Sequence, residues 1–263
     1  PGLEDSQQTL HLFRQDGARA RETVTPNNIG MIYADLGDRK KAIEYYEQAL
    51  PLRRESGDTR GEAVTLVSMG TVYHYLGQTK EALESYQQAL PLLQQAGDPI
   101  VEGLTFNNIG SVYSDTGELQ KALESYQQAL PLFENSGYAA GEALALNNIG
   151  LLYSDLGEAA QALEYYEEAL ALHRKINDPI GEGNALKNMG SLHSRIGELE
   201  KALEYYQQAL PIFEAASNPR GKASTLSSMG VIYSYLKERE KALQRYEQAL
   251  TIREQIGDRS GEA

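Results

Sequence analysis

The sequence predicts an all-α chain, a right-handed α-solenoid in which antiparallel helix pairs stack into a superhelix. Three observations predict it. The same 40-residue phrase is written six times without insertion or deletion: glycine falls at 30, 70, 110, 150, 190 and 230. Ala-Leu falls at 49–50, 89–90, 129–130, 169–170, 209–210 and 249–250. Within each phrase apolar residues recur at i, i+3/i+4 spacing and no strand alternation occurs. A strict period of this length marks stacked helical units, each burying its apolar face only against its neighbour.

The elements follow in order, with Asp58–Gly97 as the cleanest unit. Asp58 suits an N-cap, and its counterparts Asp98-Pro99, Asp178-Pro179 and Asn218-Pro219 place proline at the first helical position, where its missing N–H is harmless. Leu66, Met69, Gly70 and Tyr73 then recur along one helical face. Gly77 ends this first helix as a C′ residue, as do Gly37, Gly117, Gly157 and Gly197; only Lys237 breaks the series. The second helix opens with acidic residues such as Glu118, Glu158 and Glu198, which suit the positive end of the helix dipole. Its apolar stripe is Ala82, Leu83, Tyr86, Ala89 and Leu90, and Gly97 closes it.

One feature opposes a plain second helix. Pro51, Pro91, Pro131 and Pro211 follow Ala-Leu directly, where proline costs about 3 kcal/mol in a regular helix. Ala171 and Thr251 hold the same slot in two copies, so proline is tolerated and not required. A continuous but kinked helix is expected.

The expected organisation is a single solenoid over 1–263, about six units with a leading helix. Thr9–Gly17 aligns with 49–57, so 1–17 reads as the second helix of a truncated preceding repeat. Helix pairs then occupy 18–57, 58–97, 98–137, 138–177, 178–217 and 218–257, and 258–263 reads as the stub of a following repeat.

Composition narrows the function. A formal charge of −13 repels phosphate backbones, so nucleic acid needs a concentrated basic stripe, and none is present. An anionic membrane surface is disfavoured on the same ground. Cysteine is absent, which removes disulfide and thiolate chemistry and fits a reducing, cytoplasmic compartment. No apolar run approaches the roughly 18 residues of a bilayer span.

The residues Leu66, Met69, Gly70 and Tyr73, followed by Ala82, Tyr86 and Ala89, resemble the tetratricopeptide repeat, whose pattern is bulky–x–x–Leu–Gly–x–x–Tyr and then Ala–x–x–x–aromatic–x–x–Ala. HEAT and armadillo arrays share the period but lack these fixed spacings. The usual repeat has 34 residues, and six more lengthen the helices here around segments such as Gly57–Glu62. This longer form resembles arrays in Pins-like polarity scaffolds, kinesin light chains and bacterial and cyanobacterial signalling proteins. In the last group such arrays are often fused to caspase-like or nucleotide-binding domains. The resemblance implies recognition of a protein or peptide on a concave groove.

It also implies which positions line that groove: three before the glycine, then one, four and five after it, which share one helical face. The innermost row reads Asn27, Val67, Asn107, Asn147, Lys187 and Ser227, and the next reads Met31, Thr71, Ser111, Leu151, Ser191 and Val231. The outer row reads Asp35, His74 with Tyr75, Asp115, Asp155, Arg195 and Tyr235. Asparagine donates and accepts at once, so a ladder of amides can satisfy an extended backbone. Asp35, Asp115 and Asp155 favour lysine or arginine on the partner. The series Asn28, Asn108, Asn148 and Asn188 is read as structural, bonding between adjacent helices. A carboxylate clamp of the co-chaperone kind needs more basic residues than Lys187 and Arg195.

Chemistry is sparse. His11, His74, His173 and His193 hold no i, i+3 or i, i+4 pair, and His193 fills the slot of Tyr33, Tyr73, Tyr113, Tyr153 and Tyr233. Adjacent Glu167 and Glu168 diverge by about 100° on a helix. The stripe Tyr46, Tyr86, Tyr126, Tyr166, Tyr206 and Tyr246 is read as core. No metal, cofactor or catalytic residue is expected, and the chain reads as a binding module rather than an enzyme. Two alternatives are a self-assembly element stacking head to tail through uncapped ends, and a regulatory arm of a larger protease- or ATPase-fused protein.

Overall fold

A computed structural model describes residues 19–257, with side chains from Pro26 onward. The expected helix at 1–17 and the stub at 258–263 lie outside the described residues. Among those described, twelve helices follow one another and no strand occurs. They are α1 (Arg19–Asp35), α2 (Arg39–Ser56), α3 (Thr59–Tyr75), α4 (Thr79–Ala96), α5 (Pro99–Asp115) and α6 (Leu119–Ser136), then α7 (Ala139–Leu156), α8 (Ala159–Lys175), α9 (Pro179–Arg195), α10 (Leu199–Ala215), α11 (Pro219–Tyr235) and α12 (Arg239–Gln255). The chain divides into two compact units, one ending at Gly137 with α1–α6 and one beginning at Tyr138 with α7–α12.

Within each unit every odd-numbered helix packs on the even-numbered one that follows, which packs in turn on the next odd one. Neighbouring odd helices also meet, α1 with α3 and α3 with α5, and α7 with α9 and α9 with α11. Even helices within a unit do not meet among the described residues. The odd helices therefore lie closer together and line the inner side of each α-solenoid unit.

The helix ends follow the sequence closely. Asp58, Asp98, Asp178 and Asn218 accept from the N–H groups of Gly61, Val101, Gly181 and Gly221 at 2.8, 3.1, 3.0 and 3.0 Å. Each satisfies one of the four donors that a helix start leaves unpaired. The glutamates before the even helices act differently: Glu118 and Glu198 occupy the cap position without bonding the backbone and instead accept from Lys121 and Lys201. Lys237 enters the left-handed region itself, at φ 62, in the slot where the other copies place glycine.

The prolines do not end the second helices. α2, α4, α6 and α10 run on through Pro51, Pro91, Pro131 and Pro211. All four prolines are exposed, as are Glu47, Gln87, Gln127 and Gln207, whose carbonyls lose their helical donor. The prolines thus fall on the solvent-facing side of each helix, where an unpaired carbonyl costs less than in the core. Where Thr251 replaces proline, its hydroxyl donates to the Glu247 carbonyl at 2.9 Å. Pro26 is a further helical proline, buried within α1.

Each unit is locked by a glycine packed under a tyrosine. A Cβ at Gly110 would stand 2.5 Å from Tyr126 Cε1, and one at Gly70 would stand 2.6 Å from Tyr86 Cε1. The ring occupies the space a side chain would need, so the two helices approach at backbone distance. Tyr86 in turn packs with Ile109 and Val112 of the next pair, and Tyr166 with Leu186 and Met189, so the same ring closes the contact to its neighbour.

Candidate functional site

The inner face of each unit is built from the odd helices, and its floor mixes hydroxyl and amide groups with apolar side chains and, on α9, Lys187. Tyr86 OH lies 3.2 Å from Thr71 Oγ1, Tyr126 OH 3.3 Å from Ser111 Oγ, and Tyr206 OH 3.1 Å from Ser191 Oγ. Thr71 and Ser111 donate onward to the carbonyls of Val67 and Asn107, so in those pairs the phenol donates. Of the tyrosines read as core from sequence, Tyr46, Tyr86, Tyr126, Tyr166 and Tyr206 bury their rings, and Tyr86, Tyr126 and Tyr206 bring their hydroxyls to the floor; Tyr246 is instead 38% exposed, because no following helix pair covers it among the described residues. Desolvation pushes the Tyr46 and Tyr86 hydroxyls up to about 12 and raises Tyr126 and Tyr166, opposed by their hydrogen bonds with Ser68, Thr71, Ser111 and Ser154. The signal was present in the sequence: hydroxyl residues stand one past the glycine in three copies, and Met31, Leu151 and Val231 in the others.

The innermost row is less open than a ladder facing a partner. Asn27 and Asn107 are 5% and 4% exposed. Asn27 Oδ1 accepts from Thr65 Oγ1 of α3 at 3.0 Å, so this amide ties two first helices together. Asn147 is half-buried and its Oδ1 accepts from Asn188 Nδ2 at 3.0 Å. Asn188 thus bonds between helices, as expected of its series. Lys187 is half-buried on α9, and desolvation pushes its ammonium down from the usual lysine range with no carboxylate opposing the shift.

The outer row is exposed, and part of its charge is cancelled. His74 Nε2 lies 2.8 Å from Asp115 Oδ2, joining α3 to α5. Arg195 Nη1 donates to Asp155 Oδ1 at 2.7 Å and to Ser154 Oγ at 3.1 Å, joining α9 to α7. Of the expected line of three carboxylates, Asp155 is paired with Arg195, Asp115 is hydrogen-bonded to His74, and Asp35 has no ion-pair partner among the described residues. Tyr75 and Tyr235 stand 70% and 69% exposed; Tyr75 is flanked by the His74 ring and by the Arg39 guanidinium 5.4 Å from its centroid.

Other candidates resolve into packing. His193 stacks on Tyr205 with centroids 5.2 Å apart, and its Nδ1 lies 2.8 Å from Glu198 Oε2. Among the described residues no group of three His, Cys, Asp or Glu side chains is placed to hold a metal, and no helix is long and apolar enough to cross a membrane. On the outer side of the second unit a cleft of about 580 Å³ opens between α8 and α10, floored by Leu170, Leu186 and Met189, beside the Ala171 that replaces proline.

Comparisons with known proteins agree with this geometry. No curated protein sequence matches the chain. Among solved structures it is similar to a signal-transduction ATPase with numerous domains that carries a tetratricopeptide repeat sensor, from Pyrococcus horikoshii (18% identity, TM-score 0.73, covering 89% of this chain and 37% of that one). It is also similar to aspartyl phosphate phosphatase F from Bacillus subtilis (16% identity, TM-score 0.71, covering 93% and 74%). A third is BtubC from P. vanneervenii (21% identity, TM-score 0.69, covering 81% and 88%). At these identities the likeness is one of fold. The tetratricopeptide repeat family model matches residues 22–95, 102–175 and 181–255, and the chain belongs to the tetratricopeptide repeat family.

Proposed function

We propose that the chain is a protein-interaction module that takes an extended segment of a partner along its odd-numbered helices. The observation that carries this reading is the pairing of half-exposed floor hydroxyls with exposed rim aromatics. Tyrosine at a rim offers a large contact area at low entropic cost. The half-exposed hydroxyls of Thr71, Ser111 and Ser191 can bond a backbone whatever its side chains. In the first unit Asp35 and Asp115 favour lysine or arginine on the partner, and Asp115 is also hydrogen-bonded to His74. Binders selected from a displayed random peptide library and measured by fluorescence anisotropy test the reading. Tyr75→Ala with Tyr235→Ala should weaken them about tenfold or more, and unchanged affinity would count against it.

A second reading has its own observation. α12 leaves Leu243, Tyr246 and Leu250 at 59%, 38% and 42% exposure, whereas the counterpart Tyr86 is fully buried by the following pair. Such a face supports head-to-tail self-association. Light scattering over a range of concentrations separates the two, because a constant monomer mass removes self-assembly. The third reading, a regulatory arm in a larger protein, draws on the Pyrococcus horikoshii likeness, where the matched sensor is about a third of the chain.

A further inference from the structure

We infer that the outer cleft between α10 and α12 docks a partner segment carrying an aspartate or glutamate near an apolar anchor, with the carboxylate held by Arg245. The site lies on the outer side of the second unit and does not depend on the groove reading above.

The cleft follows from the packing. Even-numbered helices within a unit do not meet among the described residues, so α10 and α12 stand apart over α11 and leave about 410 Å³ between them. Its apolar lining is Leu210 of α10, Leu226 of α11 and Ile252 of α12, which pack in one cluster. Along α12 the lining residues Arg245, Gln248, Ile252 and Gln255 fall at i, i+3, i+7 and i+10, a single stripe about 15 Å long. A groove of that length suits two or three turns of a helix or a short extended stretch of a partner chain.

Arg245 breaks the repeat. The same slot holds Tyr45, Ser85, Ser125, Tyr165 and Tyr205 in the other copies. The arginine is half-buried, its Nε is enclosed without a hydrogen-bond partner, and its Nη1 donates to the uncharged Gln248 Oε1 at 2.9 Å. Among the described residues it has no ion-pair partner. The other cation of the cleft, Lys222, is taken at 2.7 Å by Glu214, the one carboxylate among the described lining residues. Arg53 in the first unit also leaves its Nε unbonded, but its guanidinium meets Asp58.

The equivalent cleft one repeat earlier, between α8 and α10, provides the contrast. Its lining sets Glu167 and Glu204 against Arg174 and Lys201, and Tyr205 fills the slot of Arg245. Arg174 meets Glu182 at 2.8 Å and Lys201 meets Glu198 at 2.9 Å, so both cations are matched. The α10–α12 cleft alone of the two sets an uncompensated guanidinium beside an apolar floor, on a chain whose formal charge is −13. A guanidinium partly withdrawn from water without a counter-charge is unfavourable, and a carboxylate matches its planar fork with two parallel bonds.

The test uses the whole 263-residue chain. A displayed library of random peptides is panned on the wild type and depleted on Arg245→Tyr, which carries the residue found at this slot in three other copies. Clones that bind both proteins report on the groove instead. Retained clones should carry an aspartate or glutamate within about two helical turns of a leucine, isoleucine, methionine or phenylalanine. They are then made as fluorescent peptides with amidated ends and measured by anisotropy. Changing that acid to its amide should weaken binding about tenfold or more on the wild type and less than about twofold on Arg245→Tyr. Arg245→Lys should keep part of the sensitivity. Ile252→Ser should weaken the same peptides about fivefold or more. Tyr75→Ala with Tyr235→Ala should leave them unchanged, which separates this site from the groove. Retained clones that lack an acid, or a library in which no clone is lost on Arg245→Tyr, would overturn the inference while leaving the groove reading intact. A mass that rises with concentration for the wild type but not for Arg245→Tyr would assign the cleft to a second copy and overturn it likewise. Thermal unfolding of each variant confirms that it is folded.

Discussion

The Arg195 guanidinium reaches back one repeat to the Asp155 carboxylate, 2.7 Å away, and so joins two residues that occupy equivalent slots 40 positions apart. In the first unit His74 lies 2.8 Å from Asp115, 41 positions on and one slot beyond its own counterpart Ser114. In a stacked array the spatial neighbour of a groove residue is its counterpart in the next copy, so charges of opposite sign in one row meet.

The Arg195–Asp155 pair is exposed, with side chains 48% and 43% accessible. Such pairs contribute about 0–1 kcal/mol. Asp155→Asn should therefore change the unfolding free energy from urea titration by no more than that amount, while freeing the Arg195 guanidinium in the groove of the second unit. Anisotropy with an acidic selected peptide should then show tighter binding at low salt, fading as salt is added.

Lys237 holds φ 62 where five other copies use glycine. A left-handed conformation costs an ordinary residue about 1–2 kcal/mol. Lys237→Gly loses part of this gain to the greater freedom of glycine in the unfolded chain. A net stabilisation of about 0.5–1 kcal/mol is expected from urea unfolding.

The buried tyrosines set an alkaline limit. Desolvation raises Tyr46 and Tyr86 to about 12, above the ordinary value of 10.0. Between those values the unfolded chain has lost phenolic protons that the folded chain keeps, so stability is unaffected below pH about 10 and falls as pH rises toward 12. Tyrosinate absorbance should show a late fraction of the seventeen tyrosines ionising together with loss of helical circular dichroism.

Lys187 works in the opposite sense. Burial lowers it from 10.5, so the unfolded chain binds more protons in the window below that value and stability rises with pH there. Lys187→Met should raise the melting temperature at neutral pH by about 1–3 °C, with the gain shrinking as pH approaches 10.5.

Much of the fold was legible because its signals are local. Asp58, Asp98, Asp178 and Asn218 cap the helices they precede, and glycine sets the turns, since a cap or a positive φ depends on a few adjacent residues. The groove was less legible because it depends on how closely neighbouring first helices pack. Asn27 has the slot of a ligand-facing amide, yet Thr65, 38 residues on, draws it into the interface. Five tyrosines of the stripe were correctly placed in the core by their rings, but Tyr246 is exposed, because burial of the ring depends on the next helix pair and not on the repeat alone. Lys187 was visible as an odd residue in its row. Its isolation became evident only when Asp155 was found to be held by Arg195.

The most direct test of the central claim is photo-crosslinking of a selected peptide carrying a benzophenone, with the adducts mapped by mass spectrometry. Binding along the odd-numbered helices predicts adducts at positions such as Tyr75, Ser111, Leu151 and Tyr235. Adducts confined to the even-numbered helices, at Gln87 or Gln127 or around the Leu170–Arg174 cleft, would contradict it.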